Sequence, residues 1–278
     1  MEAIRLIAGL TLREVSRRRL VWAAFGLGAA FLLLFGLGMG LVHRELTRFG
    51  PPDPRVREQV VGFLMLAALY VANFLIIMAA VIGTADAIAG EIASGVIQAV
   101  AARPVARSQI LFGKFLGHAL WLLLYTLGLG GGIMGLTALI TGWVPSRWAR
   151  GLALLALEAL VPLSLSFWGG TWLSSLANGA LGLGLYGLAF VGGWMEQVGS
   201  LIGQPAVVDL GILASLLMPA EAIWRRAAYE LQSPLARLAG LSPFTAATIP
   251  SDRMLLYAIL YIAFFLALAR YQFERRDL

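Results

Sequence analysis

LVWAAFGLGAAFLLLFGLGMGLV, residues 20–42, is a run of apolar side chains and glycine without a single charge. A hydrocarbon core about 30 Å thick requires roughly 20 apolar residues of helix, so this run is long enough to cross a membrane. Arg17, Arg18 and Arg19 stand immediately before it, and basic residues are enriched on the cytoplasmic side of membrane spans. The run therefore predicts a transmembrane helix that starts at the cytoplasmic side.

Five more segments continue this pattern: 59–85, 115–141, 152–176, 180–202 and 254–270. The sequence predicts an all-α, polytopic membrane protein with six transmembrane helices in a single domain, 1–278. Residues 207–222 are also apolar, but they contain Asp209, Pro219 and Glu221. We predict an interfacial or re-entrant piece there, within a long outer segment 203–253, and a seventh span is the alternative.

The composition excludes several classes of function. Hydrophobic residues make up 60% of the chain and charged residues 13%, which leaves too little polar surface for a soluble protein. The net charge of +6 comes from arginines clustered between apolar runs, a distribution that favours lipid headgroups over nucleic acid. Cysteine is absent and histidine occurs only twice, so no metal site is predicted.

Orientation follows from the first span, because lysine and arginine are distributed almost evenly over the remaining segments. An arginine-anchored start places the N-terminus inside, and an even number of spans then makes both termini cytoplasmic. Residues 1–19 form an imperfect amphipathic helix, which we expect to lie along the inner membrane surface as an elbow. One of its faces carries Ile4, Ile7, Ala8, Thr11 and Val15.

The connection between the second and third spans is longer than a turn. On a helix, Ile88, Ile92, Val96, Ala99 and Val100 share one face, and Glu91, Ser94 and Gln98 share the opposite face. The pattern predicts a short amphipathic helix in the segment 86–107. Arg103 precedes Pro104, and a residue before proline is biased away from helical geometry, so the helix should end there.

These residues resemble a known family. The run GEIASGVIQAVAARPVARSQILFGKFLG, residues 90–117, is similar to the membrane subunit of type-2 ATP-binding-cassette exporters, and most similar to the branch labelled multicopper-enzyme-maturation permeases. The resemblance extends to Ser242-Pro243-Phe244 and to the ending FERRDL, residues 273–278.

The resemblance implies a permease subunit whose connection, 86–107, is a coupling helix docked on a separate cytoplasmic ATPase. The residues that match the family pattern are Glu91, Gly95, Arg103, Pro104, Arg107 and Lys114, and together with Gln98 of the polar face they are the candidates for the coupling role. It further implies a prokaryotic inner membrane and a second copy of the chain, or a related permease, as partner. ATP and Mg would be bound by the ATPase, since Gly113-Lys114 lacks the rest of a phosphate-binding loop. No copper binding is implied.

Two polar residues stand inside predicted spans and are candidates for a translocation path. Glu158 is an intramembrane carboxylate, which is costly enough to suggest function, although it could instead brace the bundle. Asn73 could line the path or donate a hydrogen bond between helices.

Three other functions remain open: an ion-coupled secondary transporter, a membrane-embedded enzyme, and a non-transporting anchor for a cytoplasmic partner. The secondary transporter predicts paired intramembrane charges, and the sequence suggests only the isolated Glu158.

Overall fold

A computed structural model describes residues 2–51, 53–95, 105–232 and 249–276. Within these ranges the chain is helical, with no strand. The helices are α1 (Glu2–Val15), α2 (Arg19–Leu46), α3 (Pro54–Ile82), α4 (Ala89–Ala93), α5 (Arg107–Thr141), α6 (Trp148–Gly169), α7 (Ser175–Leu201), α8 (Pro205–Leu217), α9 (Ala220–Leu231) and α10 (Asp252–Arg275).

Six of these helices are long and apolar enough to cross a membrane: α2, α3, α5, α6, α7 and α10. The predicted all-α architecture with six spans is therefore confirmed. The spans are arranged unequally, because α6 is the most deeply buried of the six and α2 the least. Helix α6 packs against α3, α9 and α10, so it forms the centre of the bundle, whereas most of α2 remains available to lipid.

Local sequence signals explain where several spans begin and end. Asp53 precedes α3, and its Oδ1 accepts a hydrogen bond from the backbone N–H of Arg55 at 2.8 Å, with Pro54 in the first helical position. Ser174 caps α7 by accepting from the N–H of Ala177. Helix α5 ends at Gly142, whose φ of 69° is left-handed and favours glycine.

Helix α1 packs on the protein through its predicted apolar face. Thr11 and Val15 are buried, and the face contacts the first turns of α5 where glycine permits close approach. A Cβ on Gly113 would lie 2.7 Å from the Cβ of Ile7, and one on Gly117 would lie 2.6 Å from the Cβ of Thr11. The predicted apolar face is the one that contacts α5, and the position of α1 along the membrane surface stays a prediction.

Helix α5 reaches beyond the bilayer at its N-terminal end. Its 35 residues span about 52 Å at 1.5 Å per residue, well over the thickness of a hydrocarbon core. The extra turns carry Arg107, Lys114 and the contacts with α1. They give the connection between α3 and α5 a firm support outside the membrane.

Helices α8 and α9 form a hairpin that enters and leaves the bundle at one end. They are bent by 105° at Met218-Pro219. Helix α8 runs antiparallel to α7, since Gly199 meets Val208 and Gly192 meets Ala214. Helix α9 then returns, and its Glu230 pairs with Arg147 at the start of α6 at 2.8 Å. We call this the distal end of the bundle; the opposite end, which holds α1, α4 and the end of α10, is the basal end.

Candidate functional site

The connection between α3 and α5 lies at the basal end. Its described part contains the short helix α4, which stops at Ser94 and Gly95, where φ is +73°. Ile88 is buried and Ile92 packs on the core, so this part of the predicted apolar face points inward. Gln98, Arg103 and Pro104, with Val96, Ala99 and Val100, lie outside the described residues, and their expected positions stay predictions.

Glu91 differs from the expectation that it lies on an outward polar face. Its side chain is buried and forms an ion pair with Lys114 on α5. Burial raises the pKa of the Glu91 carboxyl, although the ammonium of Lys114 acts in the opposite direction. The pair therefore fastens α4 to α5, and two residues that we predicted to meet a partner instead meet each other.

Asp86 links the connection to three other helices. Its Oδ1 accepts a hydrogen bond from Oγ of Ser175 at 2.6 Å, at the start of α7. Its Oδ2 lies 3.7 Å from Nη1 of Arg18, which also pairs with Glu14 of α1 at 2.7 Å. The carboxylate covers Gly90 closely enough that a Cβ there would collide with it. Asp86 thus joins α1, the start of α2 and α7 to the segment before α4.

Arg107 ties the other end of the connection to the end of α10. Its Nη1 donates to the carbonyl oxygens of Glu274, at 3.1 Å, and Arg276, at 2.7 Å. The Arg276 side chain in turn donates to the carbonyl of Thr171, in the turn between α6 and α7. A chain of hydrogen bonds therefore runs from the connection through the last helix to a second basal turn.

Asn178 is a basal residue that sequence reasoning missed. Its Nδ2 donates to the carbonyl oxygens of Ala85 at 3.0 Å and of Ser166 at 2.9 Å. The Ser166 carbonyl also accepts from the N–H of Gly170, so the amide adds a second bond there and gives the Ala85 carbonyl a partner, joining the segment after α3 to the end of α6. An asparagine four residues after the capping Ser174 is the available sequence signal, and it does not reveal which carbonyls the side chain will reach.

The second polar region lies inside the bundle. Glu158 is fully buried on α6, and neither of its carboxylate oxygens accepts a hydrogen bond of regular geometry. Asn73 of α3 is close enough to interact with it, so the structure brings together the two residues predicted for a translocation path. Glu221 of α9 also acts on Glu158, and its own side chain is buried.

A buried ion pair joins this region to the hairpin of α8 and α9. Nη2 of Arg225 on α9 lies 2.6 Å from Oε2 of Glu196 on α7. Our expectation of an isolated intramembrane Glu158 is therefore wrong, because Glu196, Glu221 and Arg225 are buried as well. Glu196 lies inside a predicted span. Its partner Arg225 lies within residues 203–253, which the sequence predicts to be an outer segment, so the sequence does not indicate this pair.

These features define the class of protein: a polytopic helical membrane protein whose spans are tied together at one end by a short structured connection. A family model described as ABC-2 family transporter protein matches residues 6–278, and the chain belongs to this family. This confirms the resemblance to type-2 ATP-binding-cassette permeases.

A curated relative gives a narrower comparison. The probable ABC transporter permease protein NosY of Pseudomonas aeruginosa is 34% identical over 123 residues, which cover 42% of this chain and 43% of that protein. The match thus spans less than half the length of the relative. With the family match, it supports a membrane permease subunit of an ABC transporter.

Proposed function

We propose that this permease subunit couples ATP hydrolysis on a separate ATPase to export, and that the basal connection is the coupling element. The observation that carries the proposal is the bonding of the connection to several helices at once. Lys114 holds α4 on α5, Asp86 joins α1, α2 and α7, and Arg107 joins α10. A partner that displaces the connection would therefore displace the basal ends of five helices together.

Contact with the ATPase is assigned to the outward part of the connection. Glu91 and Lys114 bind each other, so in this proposal they hold α4 in place and do not meet the partner. Ser94 is exposed, and the polar residues Gln98 and Arg103 follow it, with Pro104 ending the segment. We assign the docking contacts to these residues, while ATP and Mg bind to the ATPase.

Mutants of the two kinds of residue test this division. The Arg103→Ala permease is co-expressed with its ATPase. Binding of the ATPase is measured by pull-down, and coupling is measured as the stimulation of ATP hydrolysis by substrate. Loss of a charged docking contact costs roughly 2–5 kcal/mol, so binding should weaken by well over tenfold while the chain stays inserted and monodisperse. The matched control is Arg253→Ala, an exposed arginine near the distal end. Unchanged coupling in Arg103→Ala would overturn the assignment.

The orientation is part of the proposal. The basal end faces the cytoplasm of a prokaryotic cell, with both termini there, and the distal end, from which α8 and α9 enter the bundle, faces the outer side of the inner membrane. Support comes from Arg17, Arg18 and Arg19, which precede the first span. Single cysteines replacing Ser94 and Ser146 can be treated with an impermeant thiol reagent in intact cells. Labelling at Ser146 alone is expected, and labelling at Ser94 alone would reverse the orientation.

The proposal also includes a translocation path for the substrate. The subunit pairs with a second copy or a related permease, and Asn73 and Glu158 contribute polar groups to translocation. The buried charges of α7 and α9 favour one alternative, an ion-coupled transporter. An ATPase variant that cannot hydrolyse ATP separates the two: transport should stop with that variant. Transport that persists with it and collapses with a protonophore would favour ion coupling.

A further inference from the structure

An apolar groove lies on the bundle surface near the basal end. It encloses about 210 Å³ between the start of α2, the end of α3 and the middle of α5. Small residues create the space: Ala23 and Ala24 on α2, and Ala79 and Gly83 on α3. Larger side chains at these positions would fill the groove.

Two of the three arginines that precede this groove in the sequence form no ion pair in the described part of the chain. Arg17 and Arg19 are exposed and form no ion pair there, whereas Arg18 between them is bound to Glu14 and Asp86. Arg19 directly precedes Leu20, which lines the groove. Two arginines without an ion pair in the described residues therefore precede the apolar cleft in the chain, Arg19 next to Leu20 and Arg17 three residues before it.

The groove wall also contains an unused donor. Trp121 lines the groove, and its Nε1–H is buried without an acceptor. Buried donors without partners are rare. An acceptor that entered the cleft at this depth, below the arginines, would complete the hydrogen bonding of the indole.

We propose that the groove binds one anionic phospholipid, with an acyl chain between α2 and α3 and the phosphate held by Arg17 and Arg19. Such a lipid presents an anionic headgroup, ester carbonyls and a hydrocarbon chain, and this site offers arginines, an indole donor and an apolar cleft lined by small residues. The site concerns lipid recognition and does not depend on the coupling proposal.

Native mass spectrometry of the purified chain tests the site directly. The protein is titrated with phosphatidylglycerol and with phosphatidylcholine of identical acyl chains. One phosphatidylglycerol should bind more tightly than phosphatidylcholine. Each arginine near the surface contributes about fivefold in affinity, so Arg17→Gln combined with Arg19→Gln should weaken phosphatidylglycerol binding roughly 30-fold. Arg5→Gln combined with Arg13→Gln removes the same charge from exposed positions on α1 and should change binding less than about twofold.

A second pair of variants tests the groove itself. Ala24→Trp fills the cleft and should release both lipids, whereas Ala30→Trp, at an exposed position on the same helix, should not. If Ala24→Trp is not monodisperse, Ala24→Leu replaces it in the binding experiment. The proposal is overturned if Ala24→Trp and Ala24→Leu bind phosphatidylglycerol like the unmodified chain, if the two lipids bind equally, or if the Arg5 and Arg13 control weakens binding as much as the test pair.

Discussion

The ion pair between Glu91 and Lys114 offers the sharpest test of how the basal connection is held. Both residues are less than a tenth exposed, at 8% and 7%. Replacing one member, as in Glu91→Ala, leaves the other charge buried without a counter-ion, which typically costs 3–5 kcal/mol. Burial raises the pKa of Glu91 despite its partner, so the intact pair itself adds little stability. Removing both charges should therefore cost far less than removing one.

A double-mutant cycle measures this difference. Glu91→Leu and Lys114→Met, each alone, should lower the apparent melting temperature in detergent by roughly 10 °C, taking about 2–4 °C per kcal/mol. The double variant should recover to within about 1–2 kcal/mol of the unmodified chain. In ATPase pull-down the double variant should also retain binding, because the proposed coupling assigns neither residue to the contact with the partner. If the double variant is no more stable than the single variants, or if it is stable but loses the ATPase, the assignment of this pair is wrong.

Three further substitutions test separate parts of the fold. Gly117→Leu should detach α1, because a Cβ there would lie 2.6 Å from that of Thr11, and proteolysis within α1 should accelerate; Gly135→Leu, with open space around it, should have no effect. Asn178→Ala removes the donor to the Ala85 carbonyl, whereas the Ser166 carbonyl keeps the N–H of Gly170, and should cost about 1–3 kcal/mol, measured by thermal unfolding. Glu158→Gln should fold and yet reduce transport in vesicles, and normal transport would show that the carboxylate only braces the bundle.

The spans could be predicted because hydrocarbon imposes a length and a composition on every crossing helix. The run 20–42 is recognisable without any knowledge of its neighbours, and so is the central span that became α6. Residues 207–222 were ambiguous for the same reason, because Asp209, Pro219 and Glu221 interrupt the pattern. Their path depends on packing against α7, which the local sequence does not encode.

The candidate site could be predicted only as a segment. Periodicity placed Ile88 and Ile92 on an inner face, and they do contact the core. The same periodicity assigned Glu91 to the outer face, because it cannot reveal that α5 extends beyond the membrane and offers Lys114 at that height. Asn178 and Arg225 find their partners across the bundle, and such pairings become visible only when the helices are assembled.

The two ends of the bundle are held in ways that suit different roles. At the distal end, Glu230 is fully buried and lies within 3.4 Å of nitrogen atoms of Arg147, Arg150 and Arg226. One carboxylate there fixes α9 to the start of α6, and a buried charge of this kind cannot give up its partners without a large penalty. At the basal end, Asp86 and Arg107 each make two contacts that are partly exposed to water, beside the buried pair of Glu91 and Lys114. Because exposed contacts exchange with solvent at little cost, we expect a partner to rearrange the contacts of Asp86 and Arg107 while α4 stays paired with α5. A displacement of the connection would then tilt the spans about a distal end that stays closed around Glu230.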